Sequence, residues 1–380
     1  MTINTSYQDS LPFLFSGNAG SIRISASPNE SVPVTIEVRR TSAGTVRPPA
    51  VLYHTDFELK TGSNGTLDLD LDKILGAIGH ILPTATDQAA AGVYVRFAYH
   101  VVMLFGKEGT ELRSWTVIPG KPDDAFLADI YGRRSFITAR PQISPARTDG
   151  QADWLPFAGG AITVMATVYS DMLPPVQLKL AGGTAGRAFA KTDVSLDEVR
   201  KAADKAGLAG HRIAAYDISM ESKVLDDDGN VTETVESEVL RFIVPDRKVT
   251  VFEFVSSVGA METVYATGRR KTEMESEVST FTGGEEETEL ANDWRLIHET
   301  FTGHLSSVDE LRFWREFFAS SERYAVVAGE PFRIAVTEID AESTEGELGA
   351  FSFKWHFADR YADPARKTDR RELKQFRPKI

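Results

Sequence analysis

The sequence contains no cysteine in its 380 residues. Disulfides, thiolate nucleophiles and cysteine-based metal sites are therefore excluded, so hydrophobic cores and strand pairing must hold the fold together. Long apolar runs are absent too, and no stretch approaches the roughly eighteen apolar residues that a membrane-spanning helix needs. The apolar run Leu11–Phe15 has no basic lead and is interrupted by Pro12, so we expect neither a secretory signal nor membrane insertion.

An excess of positive charge is also absent, since 42 basic residues face 55 acidic ones, the formal net charge is −13 and the sequence pI is about 5.1. Binding to nucleic acid needs lysine and arginine clustered on one face, so we expect no nucleic-acid partner. The segment 363–380 departs from this pattern and is basic. Its easiest partner is an acidic surface on an identical copy, with a frayed terminus as the alternative. The predicted contacts there are Arg366, Lys367, Arg370, Arg371 and Lys374.

Catalytic motifs are missing as well. The sequence has no Gly-x-Ser-x-Gly elbow, no Walker lysine loop and no His-Glu-x-x-His zinc motif. We therefore expect no enzymatic activity, no cofactor and no metal. One pattern leaves a choice open: Asp68, Asp70 and Asp72 alternate with leucines, which fits either a hard-cation site on one strand face or an ordinary half-buried strand.

Strand patterns dominate the chain, in short runs bounded by glycine, proline, asparagine or aspartate. The stretch 249–278 predicts a long antiparallel pair that folds about a turn at Gly259. The stretch 92–106 alternates poorly in its second half, which predicts a central strand buried on both faces.

Three segments have helical spacing. The first, 71–82, has Asp70 as its N-cap, and the second, 195–206, begins with a capping box of Ser195 and Glu198. The third helix, 307–320, begins with the same box. Its predicted core stripe is Val308, Leu311, Trp314 and Phe318.

These patterns predict a mainly β, multidomain protein of antiparallel β-sandwiches, with about three short helices and an extended hairpin arm. The arm is predicted at 212–244, and its tip residues Asp228 and Gly229 are candidate assembly contacts. The predicted domains are an N-terminal β-sandwich (1–140), a β-rich middle domain with the second helix and the arm (141–245), an antiparallel sheet domain with the third helix (246–362) and a basic tail (363–380).

Several short motifs, in chain order, resemble those of virion structural proteins from phages and prophages of gut Bacteroidetes. The glycine-centred strand pair at 249–278 is the clearest of them. The others are LRSWTVIPG (112–120), the series Phe126-Leu127, Phe136-Ile137-Thr138 and Pro141-Gln142, the run Asp153-Trp154-Leu155 with Phe157, and TGHLSSVDELRFWREFFASSERYAV (302–326).

The resemblance implies a virion component at the tail, distal tail or baseplate, assembled in the host cytoplasm as a ring of identical copies among other virion proteins. It supplies no catalytic residues. A carbohydrate-binding or adhesin-type module that contacts a host glycan is the alternative, with Trp154, Trp294 and Trp355 as candidate sugar platforms. A polysaccharide hydrolase is a third reading, because abundant acidic residues always place some carboxylates in pairs.

Overall fold

A computed structural model describes residues 2–4, 11, 13–40, 51–81, 99–106, 111–123, 127, 136–158, 162–171, 174–182, 189–225, 231–246, 249–283, 286–342 and 349–358. Over these residues the chain is mainly β, with several sheets that are antiparallel apart from two parallel strand pairs, and three short helices. The predicted fold class is confirmed. No helix in this part of the chain is long and apolar enough to cross a membrane.

The helices are α1 (Leu71–Ile81), α2 (Leu196–Ala203), which a π-helical turn at Asp204–Leu208 continues, and α3 (Val308–Ala319). The strands are β1 (Thr2–Asn4), β2 (Leu14–Phe15), β3 (Ser21–Ser25), β4 (Ser31–Arg40), β5 (Val51–Lys60), β6 (Thr66–Asp70), β7 (Tyr99–Phe105), β8 (Glu111–Ile118), β9 (Ile143–Pro145), β10 (Trp154–Ala158), β11 (Ile162–Ser170), β12 (Val176–Gly182), β13 (Phe189–Asp193), β14 (Ile213–Leu225), β15 (Val231–Glu236), β16 (Leu240–Ile243), β17 (Thr250–Val255), β18 (Met261–Ala266), β19 (Arg270–Gly283), β20 (Glu286–Phe301), β21 (Arg323–Val327), β22 (Glu330–Glu342) and β23 (Ala350–Phe357).

The first part of the chain forms a three-stranded sheet, β1-β3-β6, and a five-stranded sheet, β2-β8-β7-β4-β5. Both contribute to one hydrophobic cluster, which α1 joins through Leu71, Leu75 and Ile78. Strand β7 lies at the centre of the larger sheet, as predicted for the second half of 92–106. Residues 92–98 lie outside the described part of the chain.

The middle of the chain forms a six-stranded sheet, β12-β11-β14-β16-β9 with β15 paired to β14, and the two-stranded pair β10-β13. Helix α2 packs on their shared core through Leu196, Val199 and Ala203. Half of the predicted capping box is present at its start, where the Ser195 hydroxyl accepts from the Glu198 N–H at 3.4 Å, while the Ser195 N–H donates to Asp193 at 2.9 Å rather than to Glu198.

The last part forms a seven-stranded sheet in the order β18-β17-β21-β22-β23-β20-β19. Helix α3 covers it with Phe313, Trp314 and Phe317, and the ring centroids of Trp314 and Phe353 are 5.8 Å apart. The predicted core stripe is therefore partly wrong, because Val308 is 68% exposed. It occupies the first turn of α3, ahead of the aromatic residues that meet the sheet.

The predicted long strand pair at 249–278 is two separate features. Strands β17 and β18 form a short hairpin, whose turn includes Gly259 at φ +72°. A Cβ at Gly259 would lie 1.8 Å from the Pro119 carbonyl oxygen, so the turn requires glycine. The Thr/Glu/Met series that follows belongs to β19, which pairs with β20 instead.

The predicted hairpin arm at 212–244 is mostly part of a sheet. Strand β14 pairs with β11 from Ile213 to Ser222 and also with β16. Most of β14 is therefore an interior strand of the sheet. Only the end of β14 and β15 continue outward as a pair. The extended hairpin of the fold is β19–β20, which the sequence pattern did not single out.

A fourth hydrophobic cluster connects sheets that are distant in sequence. Phe13 and Phe15 pack with Ile118 from β8, with Ile137, and with Val258 and Ala260 from the β17–β18 turn. The first and last parts of the chain therefore share a core contact. The domain boundaries near 140 and 245 stay a prediction.

Replacing Trp314 with alanine tests how α3 is anchored. Trp314 is 1% exposed, so its truncation leaves a cavity and we expect the free energy of unfolding to fall by about 3–5 kcal/mol. Chemical denaturation monitored by circular dichroism measures this change. Val308→Ala on the same helix is the control and should stay within about 0.5 kcal/mol of wild type; equal effects of the two changes would contradict the packing described.

Candidate assembly surface

Strands β19 and β20, of 14 and 16 residues, form a hairpin that extends beyond the rest of its sheet. Strand β23 pairs with β20 only from His298 to Phe301. Beyond that point residues 273–283 and 286–297 form a two-stranded ribbon, which we call the arm. Strand β19 lies at the edge of the sheet, and no third strand accompanies the arm within the described residues. The unaccompanied twelve residues of β20 extend about 40 Å at 3.4 Å per residue.

On β19 the described side chains of the arm are exposed on both faces, whereas Ile297 at the base of the arm on β20 is buried. A strand with one buried face would alternate, yet every residue from Lys271 to Ser276 is exposed, including Met274 at 68%. No sheet or helix therefore covers this part of β19. Exposed backbone edges of this kind readily accept another strand.

The arm is also strongly acidic toward its tip. From Ser276 to Trp294 the sequence has six acidic residues and no basic residue. Closer to the sheet the charges are balanced, because Glu275 pairs with Arg295 at 3.0 Å and Glu273 pairs with Lys271. The uncompensated negative charge therefore lies in the distal half.

A polar and aromatic cluster fixes the root of the arm. The His298 ring lies 4.3 Å from the Trp355 ring between centroids, and its Nδ1 accepts hydrogen bonds from Thr272 and Arg270. The Trp355 indole N–H donates to the Thr300 hydroxyl at 2.9 Å. Burial and the nearby Arg270 lower the pKa of His298 to about 4, so the ring stays neutral near pH 7 and accepts these bonds.

A set of buried charges joins the segment 136–158 to β17 and β18. Arg140 donates two hydrogen bonds to Asp153, at 2.8 and 2.9 Å, and its Nε lies 3.4 Å from Glu262 Oε2. Arg147 donates to Glu253 at 2.6 Å. We call these five residues the ionic junction; all are less than a tenth exposed.

In the ionic junction, burial and ion pairing shift the pKa values of the three acidic residues in opposite directions. Burial raises the pKa of Glu262 more than Arg140 and the donors from Thr138 and Ala139 lower it. Burial raises the pKa of Glu253 in the same way, against the pull of Arg147. For Asp153 the balance reverses, because its two bonds to Arg140 and the proximity of Arg147 hold its pKa below the usual value despite burial.

A cavity of about 200 Å³ lies over this junction, lined in part by Arg147, Asp153 and Glu253. Arg147 is not available to an anionic ligand there, because it already donates to Asp149, Glu253 and the Ala152 carbonyl. With its side chains bound to one another, the junction is built to hold segments together.

The predicted contact residues Arg366, Lys367, Arg370, Arg371 and Lys374 lie outside the described residues. The same holds for Asp228 and Gly229 at the tip of the β14–β15 hairpin. The structure therefore leaves their role as predicted.

The three alternating aspartates do not converge on a common point. Asp68 binds Arg23 at 2.7 Å, Asp70 binds Lys73 at 2.9 Å, and Asp72 accepts from the Gly20 N–H at 2.8 Å. The chain turns from β6 into α1 at Leu71, so the strand that would align all three ends too early. Within the described residues no three histidine or acidic side chains form a metal-binding group.

The candidate sugar platforms are also constrained. Trp355 is fully buried and cannot contact a glycan. Lys191 lies over the half-buried Trp154 ring, with its Nζ 3.7 Å from the ring centroid. For Trp294 the structure describes the strand but not the side chain.

The ionic junction was missed at the sequence level, although a signal exists. Glu253 stands between Phe252 and Phe254, and Glu262 lies within an equally apolar strand. An acid flanked by residues that are themselves buried needs a positive partner, since an unpaired buried charge is very costly. That reasoning predicts a buried arginine without saying which one.

Replacing Arg140 with leucine should leave Asp153 and Glu262 buried without their shared positive partner. We expect a loss of about 3–5 kcal/mol in stability at pH 7. Without Arg140 the pKa of Asp153 rises above that of the unfolded chain and the raised pKa of Glu262 rises further, so the folded variant binds extra protons and its stability falls as the pH rises. The deficit relative to wild type should therefore shrink toward pH 4.

Denaturation midpoints measured between pH 4 and pH 8 check this prediction. Arg23→Leu is the control, because Arg23 and Asp68 form an exposed pair on β3 and β6 and should show no comparable pH dependence. A deficit that is independent of pH would contradict the role assigned to the two carboxylates.

No protein-family model matches the chain, and no curated protein matches it. Among solved structures, one match is a chain of the "Virion of native gene transfer agent (GTA) particle". The sequence identity is 12%, the TM-score is 0.23, and the match covers 30% of this chain and 95% of that chain. A TM-score this low carries no argument about fold or function.

Proposed function

We propose that this chain is a structural component of a phage virion that acts by assembling with copies of itself and with other virion proteins. Its place is the tail, distal tail or baseplate of a phage or prophage of gut Bacteroidetes, where the copies form a ring. The proposal assigns the chain no catalytic step and no cofactor.

The arm is the observation that carries this proposal. A two-stranded ribbon about 40 Å long contributes little to its own sheet, because beyond His298 no third strand pairs with it in the described part of the chain. The free edges of such a ribbon would pair with a strand or extended segment of a neighbouring molecule. The ordered motifs that resemble phage virion proteins support the same assignment.

The remaining architecture suits a rigid ring subunit. Three hydrophobic cores, each joined by one helix, give a firm body, and the fourth hydrophobic cluster and the ionic junction fix segments of different sheets to each other. A rigid body combined with an extended arm allows identical contacts to repeat around an axis, because a head-to-tail contact closes into a ring when its rotation permits.

Shortening the arm tests the proposal. Ser276 and Trp294 face each other across the β19–β20 ladder, so residues 277–293 can be replaced by Asn-Gly, a two-residue hairpin turn. We expect wild type to form oligomers that electron microscopy shows as rings, and the shortened variant to lose them while its thermal transition is kept. Light scattering coupled to gel filtration measures the mass.

A comparison variant shortens the other hairpin by replacing residues 226–230 with Asn-Gly. This change should leave the oligomer intact if the arm makes the contact. A wild-type protein that stays a monomer at all concentrations would refute the proposed function. Dissociation of the second variant alone would move the contact to the hairpin that carries Asp228 and Gly229.

A further inference from the structure

The arm offers two unpaired backbone edges. Strand β19 has β20 on one side only, and β20 from Glu286 to Ile297 has β19 on one side only, within the described residues. The free N–H and C=O groups of such edges bind an added peptide segment through main-chain hydrogen bonds. The arm is therefore a docking surface, and its charge decides what docks on it.

Two arms do not suit each other as partners. Between Ser276 and Trp294 each arm has six acidic residues and no basic residue, so two arms side by side would repel. The matching charge lies in the same chain, because the segment 363–380 has seven basic residues and three acidic ones. Charge complementarity of this kind selects partners and suppresses wrong ones.

We propose that the basic segment 363–380 of one copy docks on the distal arm, residues 276–294, of a second copy. This inference rests on the proposed function and names the two surfaces that meet. It also gives the acidic arm and the basic segment one shared role.

The position and length of the segment fit this contact. Strand β23 ends at Phe357, two residues after Trp355, which faces His298 at the root of the arm. The 22 residues that follow Ala358 span at most about 75 Å when extended. The arm measures about 40 Å, so the segment is long enough to leave its own subunit and lie along the arm of the next.

Charge reversal in both elements tests the contact in the full chain. The arm variant carries Glu285→Lys, Glu286→Lys, Glu287→Lys and Glu289→Lys, which changes the net charge of residues 276–294 from −6 to +2. The last three of these positions face Gly283, Thr282 and Thr280 across the ladder, so the new lysines meet no like charge there. The segment variant carries Arg366→Glu, Arg370→Glu and Arg371→Glu, which changes the net charge of residues 363–380 from +4 to −2. The control has Asp204→Lys, Asp246→Lys, Glu330→Lys and Asp340→Lys, four exposed acids outside the arm.

We expect each reversed variant alone to dissociate where wild type is assembled, with an apparent dissociation constant raised about 100-fold or more, because like charges then meet in the interface. An equimolar mixture of the two variants should recover the oligomer, since every arm then meets a segment of opposite charge on the other variant. The control should assemble like wild type. Light scattering gives the mass, and circular dichroism verifies that each variant is folded.

Three results would overturn the inference. Reversed variants that stay assembled beside an assembled wild type would remove this contact and leave the proposed function standing. A mixture that stays dissociated would mean that the segment binds the arm of its own copy. A monomeric wild type would refute both the contact and the proposed function.

Discussion

The buried contact of Arg140 with Asp153 and Glu262 is the constraint on which the arrangement of the sheets depends. Arg140 comes from the segment before β9, Glu262 lies on β18, and the Arg140 guanidinium also lies 5.6 Å from the centroid of Phe242 on β16. One cation therefore fixes parts of two sheets at a single point. Each of its carboxylate partners is costly to bury alone, so only the assembled arrangement satisfies all three charges.

The arm follows strand β18 directly in the chain. Strand β18 leads through Thr267 and Gly268 into β19, and Gly303 closes the far side of the hairpin at φ +87°, with space for no side chain beside the Thr267 hydroxyl. Just beyond, the neutral His298 ring packs on Trp355 and accepts hydrogen bonds from β19. The ribbon thus leaves the sheet in a defined direction, which a repeating contact would require.

The sequence predicted the features that depend on local rules. Strand alternation gave the fold class, and the boxes that begin at Ser195 and Ser307 marked the starts of α2 and α3, where both hydroxyls accept the expected N–H bond. It failed where pairing is non-local. The acidic alternation from Glu273 to Glu277 describes a strand equally well in a sheet or in a free arm, and only the register with β20 and β23 distinguishes the two. The sequence did not predict the ionic junction for a similar reason, because Glu253 and Glu262 resemble solvent-facing acids until Arg147 and Arg140 are placed beside them.

The excess of acidic residues in the arm can protect its exposed edges from aggregation as well as select a basic partner. An unpaired ribbon edge is an aggregation hazard, and charged side chains along the edge are a common safeguard. Six acids without a base in the distal arm would repel the same arm of a second copy, most strongly at low ionic strength, and would attract a basic segment. In the proposed assembly, a contact between the arm of one copy and the basic segment of another either is reciprocated in a closed pair, closes into a larger ring or continues as a filament. The rigid body fixed by Arg140 would set the angle between neighbours, and with it the choice among those outcomes.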